Sequence, residues 1–340
     1  MSVPEVRPPK PLVSALEDGL HQIRLPMKGN PLGHINAYLI PSDEGYVLID
    51  CGWDTPDVFE ALVEALAQLK LTLDDVKLLV VTHFHHDHYG LAGKLIAQNG
   101  MQLWMHPLDW KVVQYRLVDL AADDRESDAW LARNGVDAGT LNAGDDFMQE
   151  ASRRFSIAAP DRTIEDGAIV APGPHALETV WTPGHSPGHL CFFDRARGVM
   201  LTGDHVLEPI TPHVGAWYPR RHDILGDYLA SLEKVGNLPA QRVLPAHGEP
   251  FDGLQRRVAE LIGHHHARTK LILEALEFAP ANAAEVAERL PWTRRRTPYF
   301  EMNPHHRQFA VAETLAHLQH LATIGTVHVV AEEPTIRYAM

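Results

Sequence analysis

Three features of the sequence predict an α/β fold. Short apolar runs alternate with amphipathic helical patterns through about residue 250. Side chains able to bind metal cluster just after several of those runs, where open α/β sheets place their sites. From about residue 254 the pattern turns helical and closes on two short strands. A chain of 340 residues is long enough for roughly two domains. With 45% apolar and 22% charged residues it has a globular composition, which excludes a disordered chain or a collagen. Two cysteines, Cys51 and Cys191, cannot form a disulfide framework or a Cys-rich zinc site, and are expected in the core.

The elements follow in order. Residues 1–18, with four prolines among the first eleven, read as a flexible Pro-rich arm. No apolar secretory segment and no run near the roughly 18 apolar residues of a membrane span is present, so a cytoplasmic protein is expected. Ile35 to Ile40 and Tyr46 to Asp50 read as strands joined by a turn at Ser42 to Gly45. Thr55-Pro56 starts a helix, with Thr as N-cap and Pro at the first helical position, running to about Lys70. Lys77 to Val81 is a buried strand, Gly90 to Gln98 a helix and Gln102 to Met105 a strand. Residues 108–160 are polar and helical in pattern, and are expected to form an insertion arching over the site as a lid. Strands resume at Glu178 to Trp181, Leu190 to Phe193 and Val199 to Leu201; a helix over Ile224 to Val235 and a strand at Arg242 to Leu244 follow. Residues 19–253 thus read as one α/β domain. Residues 254–340, three helices and a β-ribbon, read as a winged-helix-like domain.

Charge narrows the partners. The net charge of −14 opposes nucleic-acid binding through a general field. Residues 251–340 hold equal numbers of basic and acidic residues, with one local cluster at Arg294 to Arg296. A small-molecule substrate is expected, with no membrane and a homodimer as the expected assembly.

The 22 histidines are the outstanding count. Thr82-His83-Phe84-His85-His86-Asp87-His88 follows the buried strand directly. On an extended segment His83 and His85 point to the same side. Where the chain turns, Asp87 and His88 can face a second point nearby, so the spacing suits two adjacent cations. His185 in Pro183-Gly184-His185, Asp204 in Gly203-Asp204-His205 and His247 in Ala246-His247-Gly248 occupy similar strand-to-loop junctions. Gly203 permits close backbone approach.

With Asp50 in Leu48-Ile49-Asp50-Cys51-Gly52, this ordered series resembles the metallo-β-lactamase superfamily over about residues 20–250. Residues 250–340 resemble the winged-helix extension of the branch that includes β-lactamase-like endoribonucleases and thioesterase-like hydrolases. The resemblance implies an αββα sandwich with a metal site at one edge of two sheets. Residue by residue, it implies one metal on His83, His85 and His185, a second on Asp87, His88 and His247, and Asp204 bridging them. Asp87 and Asp204 become the catalytic carboxylates, and Asp50 orients a ligand imidazole. A nitrogen-and-oxygen donor set suits two divalent ions, zinc first, with manganese or iron also accommodated. His189 and His205, beside ligands, are candidate supporting groups; His213, Trp217 and Tyr218 are candidate pocket residues. His86 is expected to point away.

The implied function is a dinuclear hydrolase whose metal-bridging hydroxide attacks a small acyl substrate: an ester, lactone or thioester. The alternatives are a phosphodiesterase or endoribonuclease, a mononuclear iron persulfide dioxygenase, and a non-catalytic regulator. The regulator is disfavoured because every ligand position is intact.

Overall fold

A computed structural model describes residues 11–116, 120–142, 155–218, 222–293 and 295–340. Most of the Pro-rich arm, residues 117–119 and 143–154 of the expected lid, and Arg294 of the basic cluster lie outside the described residues.

Two mixed sheets face each other. The first has seven strands in the order β1 (Val13–Ala15), β2 (His21–Pro26), β3 (His34–Ser42), β4 (Gly45–Ile49), β5 (Val76–Val80), β6 (Gln102–Met105) and β7 (Arg162–Thr163). Its first four strands are antiparallel, and the β4–β5, β5–β6 and β6–β7 pairs are parallel. The second has six, and its edge-to-edge order is β13 (Phe251–Asp252), β12 (Arg242–Pro245), β11 (Val199–Gly203), β10 (Leu190–Asp194), β9 (Leu177–Trp181) and β8 (Ile169–Val170).

The apolar runs sort by alternation. Val47, Ile49, Leu78 and Val80 of the first sheet meet Leu190, Phe192, Leu201 and Leu244 of the second in the layer between them. The intervening Leu48, Leu79 and Leu103 turn outward onto α1 (Pro56–Gln68) and α2 (Ala92–Asn99), where Leu62, Leu66 and Leu95 cover them. Cys191, Phe193, Met200 and Val243 turn outward on the other side, onto Tyr228 and Leu232 of the helix Ile224–Gly236. Both faces of each sheet are therefore buried, which is why the strands read as continuous apolar runs. Each such Leu or Phe contributes about 1.5–3 kcal/mol by burial. The result is the expected αββα sandwich.

One expectation is corrected at the N-terminus. Within the segment read as a flexible arm, Val13–Ala15 is a strand, paired with His21–Ile23 at the sheet edge. Three residues are too few for alternation to register against the flanking prolines.

The C-terminal region supplies three helices, Leu254–Leu276, Ala283–Arg289 and Pro304–Thr323, and a ribbon of His328–Ala331 with Arg337–Ala339, in the expected order. Leu261, Ile272, Leu315 and Leu318 belong to the same buried cluster as Phe193 and Met200. The insertion joins this cluster too. Trp130 and Leu131, on the helix Leu120–Arg133, and Val136 pack into it, and Trp130 Nε1 donates to the Ala216 carbonyl at 3.1 Å. The second helix of the insertion is thus docked on the C-terminal helices.

His265, from the His264-His265-His266 triplet, is buried against His317, with Nδ1 3.3 Å from His317 Nε2. Burial, helped by His264, holds the His265 imidazole down at about 3. The unfolded chain takes up this proton near pH 6.5 and the folded chain refuses it, so the contribution to stability is lost as pH falls from 6.5 toward 3. Unfolding free energy should fall by about 1.4 kcal/mol per pH unit for this group across that window. Denaturant titrations from pH 7 to 4 should show a shallower slope for His265→Gln; equal slopes would refute the assignment.

Candidate metal centre

The site lies at one edge of the sandwich, where β4, β5, β11 and β12 all end. The sheets are stitched together there. Leu190 N–H donates to Thr82 O at 2.9 Å, Asn36 N–H to Ala246 O at 2.7 Å, and the Tyr38 hydroxyl to Pro245 O at 2.8 Å. Residues leaving the ends of these strands therefore face a common space.

Three imidazoles converge in it. His83 Nε2 lies 2.8 Å from His85 Nδ1 and 3.2 Å from His185 Nε2, and His85 Nδ1 lies 3.0 Å from His185 Nε2. A second group contains Asp87, His88 and His247, all buried. Here His247 Nε2 is 3.3 Å and His88 Nε2 3.8 Å from Asp87 Oδ2. Asp204 stands between the groups. Its Oδ2 is 3.5 Å from His88 Nε2 and 3.6 Å from His185 Nε2, and its Oδ1 is 3.5 Å from His247 Nε2. All seven residues expected as ligands are thus brought together.

The outward nitrogens of His83, His88, His185 and His247 are held by the fold. His185 Nδ1 donates to the His213 carbonyl at 2.8 Å, and His247 Nδ1 to His34 O at 3.2 Å. His88 Nδ1 donates to Asp50 Oδ2 at 2.7 Å. Asp50 also accepts from Thr82 N and Thr82 Oγ1, at 2.7 and 2.9 Å. His83 Nδ1 lies 3.0 Å from the same Thr82 hydroxyl. Thr82 therefore serves both groups, a role its β-branched, strand-like character concealed in the sequence. Anchored this way, each ring presents its other nitrogen inward.

Electrostatics divide the groups. Burial, reinforced by neighbouring imidazoles, holds His83 well below the ordinary histidine value. Burial also lowers His85 and His185, so this trio is neutral with lone pairs available. At His88 burial also pulls downward, but Asp50, Asp204 and Asp87 outweigh it and raise the imidazole well above its usual value. His247 is raised too, by Asp204 and Asp87 against burial. The carboxyls of Asp87 and Asp204 are lowered despite burial, Asp87 chiefly by His88 and Asp204 chiefly by His247. The acidic charge gathered here calls for cations.

His88 Nε2, Asp204 Oδ1 and His247 Nε2 are buried with no hydrogen-bond partner. A buried polar atom left unsatisfied costs about 1–3 kcal/mol. Three of them aimed into one space, beside three converging imidazole nitrogens, fit divalent cations.

The remaining candidates fall into place around this centre. His189 Nε2 accepts from Asp204 N–H at 3.1 Å, and its Nδ1 lies 2.8 Å from Thr182 Oγ1. It supports the Asp204 backbone from behind. Gly203 has φ +50°, and a Cβ there would sit 2.7 Å from His189 Nε2, so the close approach requires glycine. His205 is buried between His189 and Tyr228, with ring centroids 5.9 and 5.0 Å away. His86 stacks on Trp53, rings 5.7 Å apart, with its Nδ1 4.0 Å from Asp87 Oδ1. His213 contributes its carbonyl, while its ring nitrogen Nε2 turns to Phe309 O at 3.2 Å on the last helix. Trp217 packs edge-on against Phe309 at 4.9 Å, and Tyr218 is half-buried beside it.

The family model described as "Metallo-beta-lactamase superfamily" matches residues 30–247. The Bacillus subtilis protein "Probable metallo-hydrolase YqjP" is 26% identical over 263 residues, 76% of this chain and 81% of its own length. The Emericella nidulans "Lactamase-like protein aptB" is 26% identical over 246 residues, covering 72% of this chain, which spans 61% of that relative's length. A solved metallo-beta-lactamase family protein from Thermus thermophilus superposes with a TM-score of 0.80 at 30% identity, over 96% of this chain and 99% of its own.

Proposed function

The chain belongs to the metallo-beta-lactamase superfamily and is a metal-dependent hydrolase; from that premise we propose a dinuclear enzyme for a small acyl substrate, an ester, a lactone or a thioester. The observation that carries this reading is the trio of buried atoms without a hydrogen bond, His88 Nε2, Asp204 Oδ1 and His247 Nε2, beside the converging His83, His85 and His185.

In this reading His83, His85 and His185 hold one cation, Asp87, His88 and His247 hold the other, and Asp204 is shared. The donor set has no thiolate and suits zinc, with manganese or iron as the other candidates. Bound there, divalent cations lower the pKa of water toward neutrality and polarise the group under attack. The protein's own groups do the rest. The carbonyls of His213 and His34 and the carboxylate of Asp50 fix the imidazoles. Asp87 and Asp204, each with a side chain 12% exposed, would supply the carboxylate charge that holds the cations in place.

No protein nucleophile is needed. Cys51 and Cys191 are buried, and burial pushes both thiols up, Cys191 to about 12. The net charge of −14 and the balanced charge of residues 251–340 favour a small substrate over a polyanion.

Elemental analysis of protein purified without added metal is the test. About two equivalents of zinc or manganese are expected, with thioester, ester or lactone hydrolysis lost on chelation and restored by the metal. One equivalent of iron, with oxygen uptake on a persulfide, would replace this reading by a mononuclear dioxygenase. Turnover of phosphodiesters alone would overturn the acyl assignment.

A further inference from the structure

We propose that Asp109 is a positioning residue that locks together the two loops carrying His83, His85 and His185. This rests on the metal-site reading above and extends it to a residue outside the ligand series. Asp109 lies in the first turn of the helix Pro107–Arg116 and is fully buried. Its Oδ2 accepts from Phe84 N–H at 3.0 Å and from the Ser186 hydroxyl at 2.8 Å. Its Oδ1 accepts from Gly188 N–H at 2.6 Å.

The donors belong to different sheets. Phe84 sits between His83 and His85, on the loop after β5. Ser186 and Gly188 follow His185, on the loop between β9 and β10. One carboxylate therefore joins the segments whose three imidazole nitrogens meet within 3.2 Å of one another. Hydrogen bonds to an ionised acceptor are roughly twice as strong as neutral ones, and two oxygens meeting three donors leave little freedom. Placement in the first turn of a helix further favours the negative charge.

The approach is built into the neighbouring backbone as well. A Cβ on Gly188 would lie 2.7 Å from both Asp109 N and Asp109 Oδ1. Any side chain at 188 would push the helix and its carboxylate off the loop. The sequence places Asp109 inside the polar stretch 108–160, where nothing in the local pattern distinguishes it from a solvated helix residue. Here the start of the insertion reaches beneath the metal loops.

Cobalt(II) titration of the metal-free full chain, followed by its d–d absorption, tests this. The wild type is expected to take up two equivalents. In Asp109→Asn, which keeps the shape but sets an amide donor against a loop donor, one equivalent should bind about 10–100-fold more weakly, the range for losing a group that orients ligands. The other should be unchanged, with the spectrum shown by His185→Ala. Ser186→Ala removes one of the three donors with little risk to folding, and should weaken the same equivalent to a lesser degree. Two equivalents at wild-type affinity in both variants, or both equivalents weakened alike in Ser186→Ala, overturns the positioning role while leaving the metal site intact. A wild type that binds no cobalt overturns the metal-site reading itself.

Discussion

Asp204→Ala is expected to lose bound metal and hydrolysis together. Asp204 is, among the described residues, the one carboxylate whose two oxygens face both donor groups, with His88 and His185 near Oδ2 and His247 near Oδ1. Removing it opens the space between the groups and takes away one of the negative charges that favour cations there. It also unpairs His88 and His247, whose raised basicity depends in part on this carboxylate. The backbone should survive, because His189 holds the amide of residue 204 and not its side chain. Loss of a single preorganised electrostatic group costs about 10²–10³ in rate, and loss of the metal with it makes that a lower bound. Elemental analysis and hydrolysis of the same preparation decide the matter. Full hydrolysis by a metal-free Asp204→Ala protein would sink the dinuclear mechanism.

The ligand residues were legible because they obey local rules. His83 to His88 follow a strand whose apolar run is unmistakable, and His185, Asp204 and His247 each follow another strand through a Gly- or Pro-marked turn. The strands were legible because both faces of each sheet are covered, so Leu190 to Phe193 and Lys77 to Val81 read as runs. What the sequence hides is whatever works across long separations. Asp109 reaches Phe84, 25 residues earlier, and Gly188, 79 residues later. His213 matters through its carbonyl, which any residue type would supply. Trp130 reads as one aromatic in a polar stretch, yet it donates to Ala216 across the cluster that unites the insertion with the C-terminal helices. Short edge strands such as Val13–Ala15 carry too few residues for any period to show.

Asp50→Asn should separate support of a ligand from ligation itself. The Asp50 carboxylate receives three donors, Thr82 N–H, Thr82 Oγ1–H and His88 Nδ1–H, within 2.9 Å, and it is buried. Its φ of +61° is a conformation asparagine tolerates well, so the substitution leaves the backbone undisturbed. An amide has one acceptor oxygen, so its NH₂ must replace either Oδ1, where it meets the Thr82 backbone N–H that cannot accept, or Oδ2, where it meets both the Thr82 hydroxyl and the His88 N–H. The hydroxyl can turn to accept, but the imidazole must then change tautomer or tilt. A tautomer change would place the proton on Nε2, the atom that faces Asp87 and Asp204. Breaking a buried charged pair costs about 3–5 kcal/mol, and the metal-free variant should unfold at correspondingly lower denaturant. Metal affinity should fall about 10–100-fold at the Asp87, His88 and His247 group, which Asp50 holds directly, and by less at the His83, His85 and His185 group, which it reaches only through the Thr82 hydroxyl. Asp50 and Asp109 then form a pair of opposite selectivity: each buried carboxylate supports a different half of the centre. If Asp50→Asn and Asp109→Asn weaken the same equivalent of cobalt most, that division is wrong, and the two halves move as one unit.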